Sequence, residues 1–429
     1  NNHEADPMEQ RRILMIIGDG MGDRPVPELD GRTPLAAART PVLDELAAGG
    51  ACGLLDPIGP GVCAGSDTAH LALLGYDPYR YYTGRGPLEA AGVGLEPREG
   101  DVAFRCNFST VEERDGELII VDRRAGRIEE GTEELAAALD GLELLDGEVT
   151  ARFRESVAHR AALVLRGGKL GGEVADVDPH HEGAAVQPCR VLLPEGDPGY
   201  VPARRTAAAL DEFIVRSHEI LGGLEVNRRR REAGRLPANI ILPRGGGLVP
   251  HIPTFERRYG LRAGAVVEVG LLKGLLGSYL GLELIDCPAA TGGMDTDVAA
   301  MAAALTRAVE DYEFIFLNLK APDLAGHDDL PREKIRACEL LDELLGRLRP
   351  VWEGRVVMAV SADHSTPCEC GDHAGDPVPL LVHGPGVRPD AVKSYDEFAC
   401  AAGALGHPLG RDLLPLLLTY ANRYTKFGA

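Results

Sequence analysis

The sequence predicts an α/β fold, a mostly parallel sheet between helices, with a smaller α+β domain inserted into it. Three observations predict it. Residues 12–20 (RILMIIGDG), 314–323 (FIFLNLKAPD) and 355–364 (RVVMAVSADH) are continuous apolar runs that stop at polar turns, and 379–384 (PLLVHG) is a shorter one. Runs of that length without alternation fit strands buried on both faces of a parallel sheet. Helical stretches at 40–48, 296–312 and 331–348 lie between them, and such alternation marks an α/β layering. Residues 97–247 read differently, with short β-like pieces (117–121, 161–165), charge runs and glycine-rich turns. Strands of the first kind occur before and after this stretch. It is therefore expected to be an inserted domain, leaving 11–96 and 248–429 as a discontinuous core.

The bulk numbers suit this division. A chain of 429 residues exceeds one ordinary core. With 45% hydrophobic and 26% charged residues it has the composition of a soluble globular protein. No apolar run reaches the ~18–20 residues that span a bilayer, and 265–285 is broken by glycines, Lys273 and glutamates. Residues 1–10 are polar and read as a flexible leader, not a secretory signal, so the cytoplasm is the expected location. The net charge of −21 argues against nucleic acid or an anionic membrane as the main partner. Nine scattered cysteines, with Cys368 and Cys370 the nearest to a cluster, lack the paired spacing of a structural zinc site. The tetra-arginine run 228–231 reads as a solvated helix face. A homo-oligomer is compatible with the sequence.

Asp19, Asp323 and Asp363 each close one of the long apolar runs, and ligands of open α/β sheets gather beyond the carboxyl ends of the strands. A single aspartate there is usually a helix cap; three call for another explanation. His327 stands four residues after Asp323, on the same helical face. His364 follows Asp363 directly, and His373 follows in a GDHAGDP loop. Three aspartates with three histidines form a mixed nitrogen and oxygen set suited to Zn²⁺ or Mn²⁺. Six such groups exceed one four-coordinate ion, so two ions are the simpler count. For a nucleophile, 60–70 (PGVCAGSDTAH) offers Ser66 ahead of a helix, where backbone N–H groups favour anions. Read alone, the segment favours Ser66 as a mere helix cap, with Thr68 and Cys63 as rival nucleophiles.

Taken together, Asp19 in GDG, Ser66 in GSDTAH, Asp323 and His327 in PDLAGHD, Asp363 and His364 in SADH, and the later His373 resemble, in order, the pattern of the alkaline phosphatase superfamily. More narrowly, His70 four residues after the serine is similar to cofactor-independent phosphoglycerate mutases. IIGDGMGDRP, TGRGPLEAAG, FRCNFSTV, DRRAGRI, LPRGGG and NLKAPDLAGHD resemble their archaeal-type branch over nearly the whole chain. The resemblance implies an alkaline-phosphatase-like core with the insert as a substrate-binding lid.

It also implies that Ser66 becomes phosphorylated, assisted by Lys320 and Lys273. Asp19, Ser66, Asp363 and His364 would hold one divalent ion, and Asp323, His327 and His373 the other. Mn²⁺ comes first, with Mg²⁺, Zn²⁺ and Co²⁺ as alternatives. Arg123, Arg124, Arg127, His159 and Arg160 of the insert would meet the substrate, with Arg244 and Lys273 from its far edge. The implied reaction interconverts 3-phosphoglycerate and 2-phosphoglycerate, in glycolysis or gluconeogenesis, without 2,3-bisphosphoglycerate. The alternative reading is a metal-dependent phosphohydrolase, phosphonate hydrolase or other phosphomutase on the same core.

Overall fold

The computed structural model describes residues 9–426 and 428; all but Glu9 and Gln10 of the expected leader lie outside the described residues. The strands are β1 (Arg12–Gly18), β2 (Ala51–Leu55), β3 (Val102–Arg114), β4 (Glu117–Asp122), β5 (Leu142–Leu144), β6 (Val149–Glu155), β7 (Arg160–Gly167), β8 (Ile240–Leu248), β9 (Ala263–Val266), β10 (Glu283–Leu284), β11 (Phe314–Leu319), β12 (Val356–Ser361) and β13 (Val378–His383). They form two sheets in two compact units. One unit runs up to Tyr79 and resumes at Pro253; the other is 80–252.

The first unit holds a seven-stranded sheet in the order β10-β9-β11-β1-β12-β13-β2. β1 lies at its centre, parallel to both neighbours, with Ile13 beside Phe314 on one side and Val357 on the other. Every residue of β11 and β12 is buried, as is β1 after Arg12. This is why the three runs are apolar without alternation. Of the four runs read from the sequence, the short one departs from the parallel pattern: β13 is antiparallel to β12 and to β2. The helices Pro41–Gly49, Val298–Ala308 and Pro331–Arg347 match the expected helical stretches to within a few residues.

The second unit is an antiparallel sheet, β4-β3-β7-β6-β5, with β8 on β3. The helix Tyr200–Gly223 buries Leu210, Phe213 and Leu221 in the same core as Phe108, Phe153 and Leu163. This unit is wider at both ends than the 97–247 read from the sequence. The helix Arg85–Gly92 belongs to it, because Gly86 sits against the carbonyl of Ala103, where a Cβ would come within 2.1 Å. The tetra-arginine run is a helix, Glu225–Glu232, whose Arg228 pairs with Glu225 and Glu232.

Beneath the carboxyl end of β1 lies a buried charge network. Lys334 Nζ, fully buried on Pro331–Arg347, donates to Gly22 O at 3.0 Å, Asp23 Oδ2 at 2.8 Å and Thr366 O at 2.8 Å. Next to it, Glu397 accepts from the Asp23 N–H and from the Thr33 hydroxyl. Burial, offset only in part by these hydrogen bonds and by Lys334, pushes the Glu397 carboxyl up to about 7. The folded chain thus holds this proton more tightly than the unfolded chain, where glutamate titrates near 4.5. The stabilisation is fully present below that value and is lost as the pH rises through about 7. Glu397→Gln is expected to lose less stability than wild type between pH 5 and pH 8 in urea unfolding. Parallel curves for the two proteins would refute the assignment.

Candidate active site and metal centre

Asp19 follows β1 directly and Asp363 stands two residues beyond β12, so adjacent parallel strands deliver both carboxylates to one place. Asp323 arrives differently. β11 stops at Leu319, and Asp323 lies in the first turn of the helix Ala321–His327, which Pro322 helps to open. Gly20 lets these groups converge. Its φ is +59°, and a Cβ there would lie 2.5 Å from both Asp323 Oδ1 and Thr366 Oγ1.

Lys320 Nζ bridges the carboxylates, 2.8 Å from Asp19 Oδ1 and 2.7 Å from Asp323 Oδ2. Its backbone N–H donates to Glu268 Oε2 at 2.6 Å, and Glu268 also accepts from the Thr296 hydroxyl at 2.6 Å. Asn318 Nδ2 donates to Asp19 Oδ2 at 2.9 Å and lies 3.2 Å from His70 Nε2. Burial and then the charge of Asp363 push Asp19 up to about 7, although Lys320 works against them. Burial also opposes ionisation of Asp363, but His364, then His70 and Lys320, hold it well below the usual carboxylate range. Asp323 is likewise lowered, Lys320 and His364 outweighing burial. His364 is raised to about 9, because Asp363, Asp19 and Asp323 outweigh its burial. For Lys320, too, the three aspartates outweigh burial and raise the pKa.

The three histidines share one arrangement. His327 Nδ1 donates to Gly371 O at 2.9 Å, and its Nε2 lies 3.4 Å from Asp323 Oδ2. His373 Nδ1 donates to Ala64 O at 2.9 Å, with Nε2 3.7 Å from Asp323 Oδ1. His364 Nδ1 faces Thr366 Oγ1 at 3.1 Å, while its Nε2 lies 3.2 Å from Asp363 Oδ2 and 3.7 Å from Asp19 Oδ1. The His364 and His373 rings stack at 3.6 Å.

Ser66 is not the cap of its helix. Gly65 occupies that position, and Ser66 opens the helix Ser66–Leu73 with its hydroxyl 3.2 Å from His364 Nε2. The rivals are engaged elsewhere: Thr68 Oγ1 donates to Gly65 O at 3.1 Å, and the Cys63 thiol to His373 O at 3.2 Å. His70 braces the turn, donating from Nδ1 to Ser66 O at 2.5 Å.

The donor set fits divalent cations. Asp19, Asp363 and His364 present ligand atoms within 4.8 Å of one another, as do Asp323, His364 and His373. A third group joins His327 and His373 to Asp372, a carboxylate in the GDHAGDP loop that the sequence reading passed over. Asp363 Oδ2 is buried with no hydrogen-bond partner, an atom that a cation would satisfy.

The remaining expected residues divide between the units. Lys273 belongs to the first unit and not to the far edge of the insert. It is exposed at the end of the short helix Gly270–Lys273, and none of the site's hydrogen bonds involves it. In the second unit, Arg160 and Arg244 line one pocket with Arg105, Asn107 and Glu89. Among the described residues Arg244 Nε has no hydrogen-bond partner and only a 3.9 Å approach to Asp178 Oδ2, and His159 Nδ1, outside that pocket's lining, is likewise buried without one. Burial, then Arg160, Arg124 and Arg244, lowers the His159 pKa. Arg123 is gripped bidentately by Asp178 at 2.7 and 2.6 Å, and Arg124 and Arg127 are exposed. Arg105 was missed by sequence reasoning, although it stands in the FRCNFSTV string.

Fold and site together define an α/β protein with a buried carboxylate–imidazole centre at the carboxyl ends of its strands, of the kind that suits divalent cations. Comparison with known proteins narrows this class. A family model described as 2,3-bisphosphoglycerate-independent phosphoglycerate mutase matches residues 47–227. A protein of Methanothermobacter thermautotrophicus named 2,3-bisphosphoglycerate-independent phosphoglycerate mutase 1 is 48% identical, covering 97% of this chain and 99% of its own. A Methanopyrus kandleri protein of the same family name is also 48% identical, covering 98% and 99%. Among solved structures, a cofactor-independent phosphoglycerate mutase from Thermoplasma acidophilum is 36% identical and superposes with a TM-score of 0.76, covering 96% of this chain and all of its own. A Pyrococcus horikoshii protein gives 37% and 0.82, covering 98% and 100%. The chain belongs to the family of 2,3-bisphosphoglycerate-independent phosphoglycerate mutases, and it shares the fold of the Thermoplasma acidophilum structure.

Removing Lys320 leaves two buried carboxylates without their shared cation. Lys320→Met is expected to destabilise the chain by about 3 kcal/mol, measured by urea unfolding in the presence of chelator. A loss below ~1 kcal/mol would show that the bridge is solvated.

Proposed function

We propose that this chain interconverts 3-phosphoglycerate and 2-phosphoglycerate through a phosphorylated Ser66, using two divalent cations and no 2,3-bisphosphoglycerate. The observation that supports this most is the placement of the Ser66 hydroxyl. It stands at the first turn of a helix, 3.2 Å from His364 Nε2, the atom that also faces Asp19 and Asp363. Asp19, Ser66, Asp363 and His364 are assigned to one cation, and Asp323, His327 and His373 to the other, with Asp372 beside the second set. Mn²⁺ suits this mixture of oxygen and imidazole donors, as do Mg²⁺, Zn²⁺ and Co²⁺ to differing degrees. Bound there, the cations lower the pKa of the serine hydroxyl and neutralise charge on the transferring phosphoryl group.

The chain's own part follows from its geometry. Ser66 Oγ attacks phosphorus, the bond from phosphorus to the glycerate oxygen breaks, and that oxygen gains a proton. The glycerate reorients, its other hydroxyl attacks the phosphoserine, and Ser66 leaves with its hydroxyl restored. Lys320 supplies fixed positive charge beside Asp19 and Asp323. Lys273, exposed in the same unit, is assigned a supporting role toward the phosphate. In the second unit, Arg244, Arg160 and Arg105 form an anion pocket for the part of the substrate that is not transferred. Arg244 Nε, which among the described residues makes no hydrogen bond and only a 3.9 Å approach to Asp178 Oδ2, favours that use, since a carboxylate supplies the missing bond; His159, next to Arg160 in the chain, keeps its assignment to the substrate. Retaining glycerate between the two transfers separates a mutase from a phosphohydrolase.

The decisive assay gives the cation-loaded protein 3-phosphoglycerate without 2,3-bisphosphoglycerate and follows 2-phosphoglycerate and free phosphate together. The expected result is 2-phosphoglycerate formation that Ser66→Ala and chelator both abolish. Phosphate release without isomerisation would move the chain to the hydrolases. For the pocket, Arg244→Met is expected to raise KM for 3-phosphoglycerate roughly 10- to 100-fold, the worth of a charge-assisted hydrogen bond. An unchanged KM would remove Arg244 from the substrate site.

A further inference from the structure

The three histidines of the centre are oriented by their Nδ1 atoms, but not by the same means. His327 and His373 meet backbone carbonyls, which only accept, so each must carry its proton on Nδ1 and turn a bare Nε2 toward Asp323. His364 meets a hydroxyl instead, Thr366 Oγ1 at 3.1 Å. A hydroxyl both donates and accepts, so by itself it does not choose the tautomer. The choice is made on its other side. Thr366 Oγ1 is 2.6 Å from Asp323 Oδ1, and an ionised carboxylate only accepts. The single hydroxyl proton is therefore committed to Asp323, and Oγ1 can only accept from His364 Nδ1–H. In neutral His364 this leaves Nε2 bare toward Asp19, Asp363 and the Ser66 hydroxyl.

Thr366 is itself firmly placed. Its N–H donates to Gly22 O at 3.1 Å, and its carbonyl accepts from the fully buried Lys334 Nζ at 2.8 Å. Gly20 and Gly326 pack so closely that a Cβ on either would lie 2.9 Å or less from Thr366 atoms.

Resting on the two-cation reading above, we propose that Thr366 is a positioning residue that couples the two cation sites. Its one hydroxyl orders Asp323 of one ligand set and fixes the His364 tautomer of the other. Loss of that hydroxyl therefore weakens both sites together, although Thr366 belongs to neither assigned ligand set. Partners of ligating histidines typically contribute about 10- to 100-fold in metal affinity.

The test is titration of the chelator-stripped protein with Co²⁺, following the visible absorption of bound Co²⁺ and the stoichiometry, for wild type, Thr366→Val, Thr366→Ala and Thr366→Ser. The wild type is expected to take up two ions. Val keeps the shape and removes the hydroxyl, and it is expected to weaken both binding steps about 10- to 100-fold and alter the Co²⁺ spectrum. Ser restores the hydroxyl and is expected to recover both. Ala covers the case in which Val does not fold, and melting of each variant in chelator separates misfolding from altered binding. Wild-type affinities and spectrum in a folded Val or Ala variant would overturn the proposal. Weakening of one step only would overturn the coupling. A wild type that binds no cation would overturn the two-cation reading itself, and the proposal with it.

Discussion

Three aspartates share one buried pocket, and the rest of the core is arranged to make that tolerable. An isolated buried carboxylate costs several kcal/mol, and neighbours of like charge add to it. The cost is visible in Asp19, whose carboxyl is pushed up to about 7 by burial and by Asp363. Two of the three, Asp19 and Asp363, are brought in by adjacent parallel strands, so no side-chain motion separates them. Relief must come from positive charge delivered to the pocket. Lys320 bridges two of the aspartates, and His364 faces all three. A pocket of this kind attracts divalent cations because its carboxylates are poorly served by hydrogen bonds alone, as the orphaned Asp363 Oδ2 shows.

That pocket was largely legible in the sequence, for a physical reason. Strands buried on both faces must be apolar throughout, so an aspartate at the end of such a run stands out. Asp19, Asp363 and the histidines near them could be found this way without any knowledge of the fold. Ser66 became persuasive only jointly with them, since a serine ahead of a helix is usually a cap. In the structure the capping position falls on Gly65, and Ser66 is the first residue of the helix. Asp323 was read both as closing a strand run and as sharing a helical turn with His327; the structure keeps the helical turn and ends the strand at Leu319, with only Lys320 between the two elements.

What stayed hidden has no periodic signature. Thr366 and Glu268 act by hydrogen bonds to groups that are distant in sequence, and nothing in their local context marks them; Asn318 stands inside an apolar run, but its partners are equally distant. Lys334 falls on the buried stripe of its helix with Ala337, Cys338 and Leu341, and its Nζ is buried on three acceptors. Asp372 was visible but unremarkable in a polar loop. Arg105 lies in a strand with its guanidinium between Glu89 and the pocket of Arg160 and Arg244, a placement set by strand pairing. The edge of the second unit was misjudged for a similar reason. Nothing in the sequence reading marked the helix Arg85–Gly92, and its packing on β3, β7 and β8 assigns it to that unit.

The two units therefore present two physical regimes. Around the aspartates, Asp363 Oδ2 and Asn318 Oδ1 are left for a cation or substrate to satisfy, while the supporting layer of Lys334, Glu268 and Thr366 is hydrogen-bonded on several sides. Such a layer costs no reorganisation at the moment of reaction, which in-line phosphoryl transfer rewards. The arginine pocket of the second unit is looser, with partly exposed guanidiniums and an Arg244 Nε that reaches only Asp178, at 3.9 Å. The proposed reaction requires both. Phosphorus must be held in one geometry, whereas glycerate must reorient so that its other hydroxyl can attack the phosphoserine. A binding pocket that was fully satisfied in a single pose would hold glycerate too rigidly for that turn, and one with spare donors can follow the carboxylate as it moves.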